Sequence, residues 1–337
     1  MNPKKSWSWL ADLFKGNPRP RLEHGFWEES RKGEDHHLIR TDCLRVPGDP
    51  SSAFSVFAIF DGHNGSGAAI FTKERLLDHV LDSIPPGLRR EQWLVALRQA
   101  LSDGFVKTDK EFQRRGARSG TTVTFVVVDG WTATVASVGD SRCILEAHDG
   151  TVSVLTVDDR LEENSEERDR VAARVAVRGG RVGRFCGCGV ERGPLRCWPG
   201  GLCISRSIGD TDVGDFIVPD PHVKQVKLSN NGGRLIIASD GVWDALASEM
   251  AAKCCQGLPA PEAAKEVVKQ AVEVKGLRDD TTCIVVDIIP PDHSTLFPSV
   301  PKKKNVLKSL ISWKMWRKSP NKLEKKLSSL STVEVTI

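Results

Sequence analysis

Acidic residues stand beside several apolar segments of this chain, and their carboxylates are the groups most able to do chemistry. Three aspartates directly follow predicted strands, namely Asp61, Asp140 and Asp240. Two acidic pairs, Glu34-Asp35 and Asp279-Asp280, stand where a strand is predicted to begin. One aspartate after a strand is ordinary turn chemistry. The repetition of the pattern predicts that these residues converge at one edge of a sheet.

A group of converging carboxylates needs a cation, because like charges at one site repel one another. Carboxylate, carbonyl and water oxygens are the ligands that hard cations such as Mg²⁺ and Mn²⁺ prefer. Two such ions about 3.5–4 Å apart can lower the pKa of a shared water and hold a phosphoryl group. The residue types therefore indicate a two-metal site for phosphoester chemistry.

The segments around the acidic residues predict antiparallel sheets accompanied by helices. The pair Asp129-Gly130 separates apolar segments at 121–128 and 131–138, which is a strong hairpin pattern. Further strands are predicted at 54–60, 143–146, 152–157, 234–239 and 281–289. The spacing of apolar residues predicts helices at 69–84, 93–112, 243–255 and 261–274. Strands and helices in separate runs indicate an α+β fold.

Eight short motifs resemble, in the same order, those of the protein phosphatase 2C family, the metal-dependent serine/threonine phosphatases. They are Gly33–Asp35, Phe60–Gly65, Ser119–Thr122, Val138–Arg142, Gly179–Val182, Ser205–Asp210, Ala238–Asp244 and Arg278–Thr282. Each motif is weak alone, but eight in the family's order are highly specific. The resemblance covers roughly residues 24 to 289, and the residues of several motifs are most similar to those of plant members.

The resemblance implies a fold and a set of metal ligands. The implied fold is a central sandwich of two antiparallel β-sheets, flanked by α-helices on both faces. The implied cofactors are two Mg²⁺ or Mn²⁺ ions per subunit, with Asp61 bridging both. Glu34 and the carbonyl of Gly62 would complete one ion's site, and Asp240 and Asp279 would complete the other.

The resemblance also implies roles for residues around these ligands. Asp35 would order the waters of the first ion, and Asp140 and Asp244 match the family's weaker third metal site. A metal-activated water would attack phosphorus in line, while His63 would protonate the leaving serine or threonine oxygen as a general acid. Structural alternatives stay open: Asp140 could merely end a strand, Asp244 could cap a helix, and His63 could be a loop residue.

One position departs from the family pattern. The family places a phosphate-binding arginine four residues before the metal glutamate, where this chain has Ser30. Arg31 stands one residue later, and we expect its guanidinium to bind the substrate phosphate. The displacement motivates an alternative hypothesis, a catalytically weak or inactive relative that binds phosphoproteins. A metal-dependent nuclease or small-phosphoester hydrolase is a further alternative, because the same carboxylates would serve it.

The charge distribution divides the chain into a body and a tail. Residues 301–337 carry ten Lys/Arg and two Glu, whereas residues 1–300 carry 38 basic and 42 acidic residues. We predict a leader at 1–24, a phosphatase domain at 25–290 and a disordered basic tail at 291–337. Apolar residues interleave the lysines of the tail, so contact with an anionic membrane surface or with calmodulin is an alternative. The acidic body disfavours nucleic acid as a partner.

The compartment and the assembly state are expectations from composition. The chain has nine cysteines, an odd number, and no secretory signal is evident at its start. We therefore expect reduced thiols and a cytoplasmic or nuclear location, with peripheral membrane contact as an alternative. Phosphoproteins are the expected partners, and nothing in the sequence requires more than a monomer.

Overall fold

The computed structural model describes residues 19–187 and 190–291. Within them the strands are β1 Arg21–Glu29, β2 Asp35–Leu44, β3 Ala53–His63, β4 Gly120–Thr121, β5 Val123–Asp129, β6 Thr132–Val138, β7 Arg142–Ala147, β8 Val152–Val154, β9 Arg181–Gly187, β10 Val190–Trp198, β11 Ile208–Gly209, β12 His222–Lys227, β13 Gly233–Ala238 and β14 Thr281–Ile289. The helices are α1 Gly67–Asp82, α2 Arg90–Gln113, α3 Ser165–Val177, α4 Asp240–Trp243, α5 Ser248–Cys254 and α6 Ala260–Lys275. A 3-10 turn spans Pro50–Ser52.

Two sheets and one separate hairpin contain these strands. The five-stranded sheet has the order β1-β14-β13-β7-β8. The seven-stranded sheet has the order β11-β4-β3-β5-β6-β12, and β2 also pairs with β3. Strands β9 and β10 form the hairpin. The pairs within both sheets are antiparallel, as the grouped strand segments of the sequence predict.

The alternation of side chains along β3 shows how the layers stack. Phe57 and Ile59 are buried in a cluster with residues of β13 and β14, so they lie between the two sheets. The intervening Val56, Ala58 and Phe60 are buried in a second cluster with residues of α1 and α2. Because successive strand residues point to opposite faces, β3 contributes to both clusters.

The five-stranded sheet is covered in the same way on its other face. Val285 and Ala238 pack with the apolar stripe of α6, which includes Ala264, Val267 and Val268. Each sheet therefore has helices outside it and the other sheet inside. The predicted fold class, an α+β sandwich of antiparallel sheets between helices, is confirmed.

Some boundaries differ from the sequence-based predictions. Strand β3 does not end at Phe60 but continues through Asp61 to His63. The helix predicted at 243–255 is two helices, α4 and α5, separated by a turn. Helix α3 is an addition to the predicted helices, and Asn164 caps its start by accepting a hydrogen bond from the Glu167 amide at 3.2 Å.

The predicted leader and tail fall largely beyond the described residues. Residues 1–18 and 292–337 lie outside them. Strand β1 begins at Arg21, within the stretch assigned to the leader, and β14 ends at Ile289, one residue before the predicted end of the domain. Among the described helices, none combines the length and the apolar character that a membrane span requires. The eight cysteines of the described part are all free thiols.

Candidate metal centre

Three aspartates from different elements meet at one edge of the sandwich. Asp61 comes from the end of β3, Asp140 follows β6, and Asp240 is the first residue of α4 directly after β13. Oxygen atoms of these three carboxylates all lie within 4.8 Å of one another. The convergence predicted from the strand ends is therefore present, and β3 and β13 bring together residues 179 positions apart.

Electrostatics make this cluster unfavourable without cations. Burial raises the pKa of Asp61 well above its usual range, and the charges of Asp35 and Asp240 raise it further. Burial also raises the pKa of Asp240, with Asp140 as the next contribution. Several buried carboxylates thus compete for the ionised state, and a bound cation would relieve that competition.

The buried carboxylate of Asp35 also needs a cation. It lies opposite Asp61 in the β2–β3 register, and both of its buried carboxylate oxygens lack a hydrogen-bond donor of normal geometry. Burial raises its pKa, although nearby Thr282 and Ser239 favour the ionised form. Buried polar atoms without partners are costly. These oxygens fit a site whose remaining partners are metal ions and their waters.

The loop before β2 contains Glu34. Asp280, which is distant in sequence and precedes β14, holds this loop in place. The Asp280 carboxylate accepts hydrogen bonds at 2.5–3.2 Å from four backbone amides, those of Arg31, Lys32, Glu34 and Asp35. Burial opposes the ionisation of Asp280, but these amides outweigh it and hold its pKa well below the usual range. The sequence indicates Asp280 only as the neighbour of Asp279, without a role of its own.

Gly62 is required where this loop approaches β3. Its amide donates to the Glu34 carbonyl at 3.2 Å, and a Cβ at this position would stand 2.7 Å from the same oxygen. The Glu34 side chain accepts a hydrogen bond from the Gly65 amide at 2.6 Å. Glu34 and Gly62 therefore lie side by side, as the predicted ligands of one ion should. Glu34 and Asp279 flank the tight three-aspartate cluster rather than belonging to it.

Asp279 faces a lysine for which the sequence predicts no role. The Lys32 ammonium lies 2.7 Å and 2.8 Å from the two oxygens of Asp279. Burial opposes the charge of Lys32, but the hydrogen bond and charge of Asp279, with Glu34 and Asp61, raise its pKa. Arg31, in contrast, donates from its guanidinium to the carbonyls of Leu277 at 3.3 Å and Arg278 at 2.7 Å.

Arg160 also enters the site without a prediction from the sequence. Its three guanidinium nitrogens contact Asp140 at 2.6 Å, Asp240 at 2.8 Å and Asp244 at 2.5 Å. Asp244 closes α4 and also accepts from Lys275 at 2.7 Å. Burial opposes the ionisation of Asp244, but these two cations lower its pKa.

His63 stands at the end of β3 in contact with Asp210. Its Nε2 lies 2.8 Å and 3.0 Å from the two Asp210 oxygens, and the Ser207 hydroxyl donates to Asp210 at 2.5 Å. Burial lowers the pKa of His63, but the hydrogen bond and charge of Asp210 outweigh it, so the pKa is raised. Gly120 borders both groups, and a Cβ there would lie 2.2 Å from Asp210 and 2.3 Å from His63.

The comparisons with known proteins agree with this geometry. The model of the Protein phosphatase 2C family matches residues 25–276. Probable protein phosphatase 2C 33 of Oryza sativa subsp. japonica is 63% identical over 322 residues, which cover 95% of this chain and 74% of that protein. Probable protein phosphatase 2C 5 of Arabidopsis thaliana is 62% identical over 317 residues, covering 94% and 73%.

Solved structures share the fold at lower identity. A serine-threonine phosphatase 2C from Toxoplasma gondii has a TM-score of 0.63 at 20% identity, covering 81% of this chain and 98% of that one. The catalytic domain of the phosphatase PstP, solved in complex with 2 manganese ions, has a TM-score of 0.51 at 18% identity, covering 80% and 98%. With the family match and the plant relatives, the carboxylate edge of the sandwich places this chain in the protein phosphatase 2C family, as a metal-dependent protein serine/threonine phosphatase.

Proposed function

We propose that the carboxylate edge is the catalytic centre of this phosphatase and holds two Mg²⁺ or Mn²⁺ ions. The proposed ligands are Glu34, Asp61, the carbonyl of Gly62, Asp240 and Asp279. One observation carries the proposal: carboxylate oxygens of two proposed ligands, Asp61 and Asp240, and of their neighbour Asp140 lie within 4.8 Å of one another. The buried carboxylate of Asp35, whose oxygens lack donors of normal geometry, supports an oxygen-rich site for hard cations.

The ions and the side chains would have different roles in the reaction. Bound divalent ions supply a nucleophilic hydroxide at neutral pH and stabilise charge on the phosphoryl group. His63 would donate its proton to the serine or threonine oxygen that leaves, and its buried contact with Asp210 keeps the ring oriented and favours the protonated form. A proton delivered to the leaving oxygen is general acid catalysis.

Two cations of this chain compete for the role of phosphate anchor. The sequence predicts Arg31 for it, but the Arg31 guanidinium donates to the carbonyls of Leu277 and Arg278. Lys32 extends toward Asp279, and Glu34 and Asp61 are near enough to raise its pKa. We therefore propose that Lys32 contacts the substrate phosphoryl group and that Arg31 fixes the loop.

Hydrolysis of a phosphothreonine peptide tests the proposed centre. We expect the purified full chain to release phosphate with millimolar Mn²⁺ or Mg²⁺ and to lose this activity with a chelator. Asp61→Asn should abolish release, whereas Asp169→Asn, at an exposed aspartate of α3, should not. Phosphopeptide binding without phosphate release, in folded protein that holds metal, would instead support the inactive phosphoprotein-binding hypothesis.

The same preparation separates the enzyme alternatives. A phosphoprotein phosphatase should prefer phosphoserine and phosphothreonine peptides to single-stranded nucleic acid and to small phosphate esters. Parallel assays with Mg²⁺ and Mn²⁺ at equal concentration would show which ion gives the higher rate. Faster hydrolysis of nucleic acid than of phosphopeptide would contradict the proposed substrate class.

A further inference from the structure

The position matched to a third metal ion contains an arginine. The Arg160 guanidinium uses a different nitrogen for each of three carboxylates: Nε for Asp140, Nη2 for Asp240 and Nη1 for Asp244. The three contacts measure 2.6, 2.8 and 2.5 Å, so each is within the distance of a hydrogen bond between charged groups. Arg160 therefore sits between the two residues matched to the third site and a ligand of the proposed two-ion site.

The architecture holds Arg160 in this place. It lies in the segment between β8 and α3, and its amide donates to Asp158 at 3.0 Å. The Arg160 backbone also bridges to Ile204, so the segment is fixed to a second part of the chain. The Asp140 side chain is 6% exposed, which leaves it few partners other than the guanidinium. A buried carboxylate of this kind requires a charged or hydrogen-bonding partner.

The charge of this corner is largely balanced by the protein itself. Asp140, Asp240 and Asp244 face two protein cations, because Lys275 contacts Asp244 at 2.7 Å in addition to Arg160. An arginine keeps its charge at any pH at which the protein is folded. A divalent ion that approached Asp140 and Asp244 would meet this positive charge and would have to displace hydrogen bonds from the same oxygens.

Asp61 belongs to a different part of the cluster. Its carboxylate accepts a long hydrogen bond from the Asp240 amide at 3.4 Å, while the Arg160 contacts go to Asp140, Asp240 and Asp244. Three further carboxylates lie on the Asp61 side, those of Glu34, Asp35 and Asp279. Among the described residues, these three carboxylates form a single ion pair, that of Asp279 with Lys32. The unmet demand for cations therefore lies on the Asp61 side.

From this arrangement we infer that Arg160 is a built-in cation that takes the place of a third metal ion. It closes the site between Asp140 and Asp244 and leaves the enzyme with two exchangeable ions. This inference rests on the proposed metal centre, because it presupposes that the Asp61 side binds ions.

Counting bound ions tests the inference without relying on activity. The full chain, stripped of metal, is titrated with Mn²⁺, and free Mn²⁺ is followed by electron paramagnetic resonance. We expect two ions per chain for the unaltered protein. Arg160→Ala should bind a third ion at least ten times more tightly than the unaltered protein binds any further ion. Arg160→Ala combined with Asp244→Asn should return to two ions, because a ligand of the third ion is then missing.

Arg142 supplies a matched control. Its guanidinium contacts Asp158 at 3.4 Å, and both side chains are 25% exposed, much as Arg160 is at 26%. Arg142→Ala should leave the count at two. A third ion that binds equally well with and without Arg160 would overturn the inference. An unaltered chain that binds no Mn²⁺ would instead overturn the proposed metal centre on which it rests.

A crystal of the unaltered protein decides the matter if Arg160→Ala does not fold. Crystals grown with Mn²⁺ are measured at the manganese absorption edge to locate the ions by anomalous scattering. Two peaks beside Asp61, with Arg160 still bonded to Asp140 and Asp244, support the inference. A manganese peak between Asp140 and Asp244, with the guanidinium displaced, refutes it.

Discussion

At the scale of single residues, two neighbouring cations have different surroundings. The Lys32 ammonium contacts Asp279 at 2.7 Å, whereas the Arg31 guanidinium donates to the carbonyls of Leu277 and Arg278. If Asp279 holds a metal ion as proposed, its ion pair with Lys32 would weaken and Lys32 would be free to contact a substrate phosphate. Carbonyl hydrogen bonds of Arg31 have no such reason to change.

We therefore expect Lys32→Ala to impair substrate binding more than Arg31→Ala does. Loss of one charge-assisted hydrogen bond to phosphate should raise the KM for a phosphothreonine peptide about tenfold, since each ~1.4 kcal/mol is a factor of ten. Steady-state kinetics at saturating Mn²⁺ measures the effect, and Lys32→Arg should restore part of it. An unchanged KM in Lys32→Ala, with a raised KM in Arg31→Ala, would return the role to Arg31.

The contact between His63 and Asp210 leads to a second prediction. Asp210→Asn removes the carboxylate charge but keeps a residue that tolerates the positive φ of 53° found there. We expect kcat on a phosphothreonine peptide to fall by roughly 10²-fold, the scale of general acid catalysis. p-Nitrophenyl phosphate should be affected much less, because its leaving group needs little protonation. Equal losses on both substrates would indicate that Asp210 acts only on structure.

At the scale of elements, the loop before β2 depends on one buried carboxylate. Asp280 accepts hydrogen bonds from three backbone amides of that loop and from the amide of Asp35, the first residue of β2, and Asp280 is 3% exposed. Asp280→Ala would leave those amides without an acceptor, and we expect the free energy of unfolding to fall by about 3 kcal/mol. Chemical denaturation measures it. Mn²⁺ affinity should fall too, because the loop carries Glu34 and Asp35.

An exposed turn aspartate is the control for this prediction. Asp149 accepts one backbone amide, that of Thr151 at 2.9 Å, so Asp149→Ala should lower the free energy of unfolding much less than Asp280→Ala does. Asp280→Asn keeps one acceptor oxygen and should fall between the two. A stability of Asp280→Ala equal to that of Asp149→Ala would mean that the loop is held by other contacts.

The elements also explain which parts of the fold a sequence can predict. Strands such as β3 and β14 are buried on both faces, and their dense aromatic and β-branched residues predict them well. Helix α3 has no such pattern, because it is short of large apolar residues and only Glu167, Val171 and Val175 are buried. Strand β10 escapes prediction for a similar reason, since most of its residues are exposed and show no alternation.

Some residues of the site can likewise be predicted from the sequence and others cannot. Aspartates at strand ends, with the family motifs around them, are enough to predict the carboxylate cluster. Arg160 and Asp210 receive no predicted role, because their partners are brought to them only by the fold: Asp210 is 147 residues from His63 and Arg160 is 80 from Asp240. Residues so far apart in sequence cannot be recognised as partners from the local sequence around either one. Two signals are available: Asp210 ends the family motif Ser205–Asp210, and Arg160 follows an acidic pair, Asp158-Asp159, after a predicted strand.

At the scale of the whole molecule, the sequence predicts a folded acidic body and a basic tail, of which the tail lies outside the described residues. Its contact with an anionic membrane or calmodulin, and the cytoplasmic or nuclear location, stay predictions. The body itself concentrates buried carboxylates at one edge, at a cost in stability that bound cations would offset. Metal content should therefore control the stability of the entire domain.

Removal of metal gives the last prediction. Ligands that bind only the folded state stabilise it, so Mn²⁺ at a hundred times its Kd should add about 2.7 kcal/mol and raise Tm by about 5 °C. Asp61→Asn should change Tm in opposite directions without and with metal. Without metal it should raise Tm by about 2 °C, because one buried charge leaves a repelling cluster. With metal it should lose most of the Mn²⁺-induced rise. Differential scanning calorimetry in chelator and in Mn²⁺ measures both. If Asp61→Asn lowered Tm in chelator and kept the full metal response, Asp61 would be a structural residue and the ions would bind elsewhere.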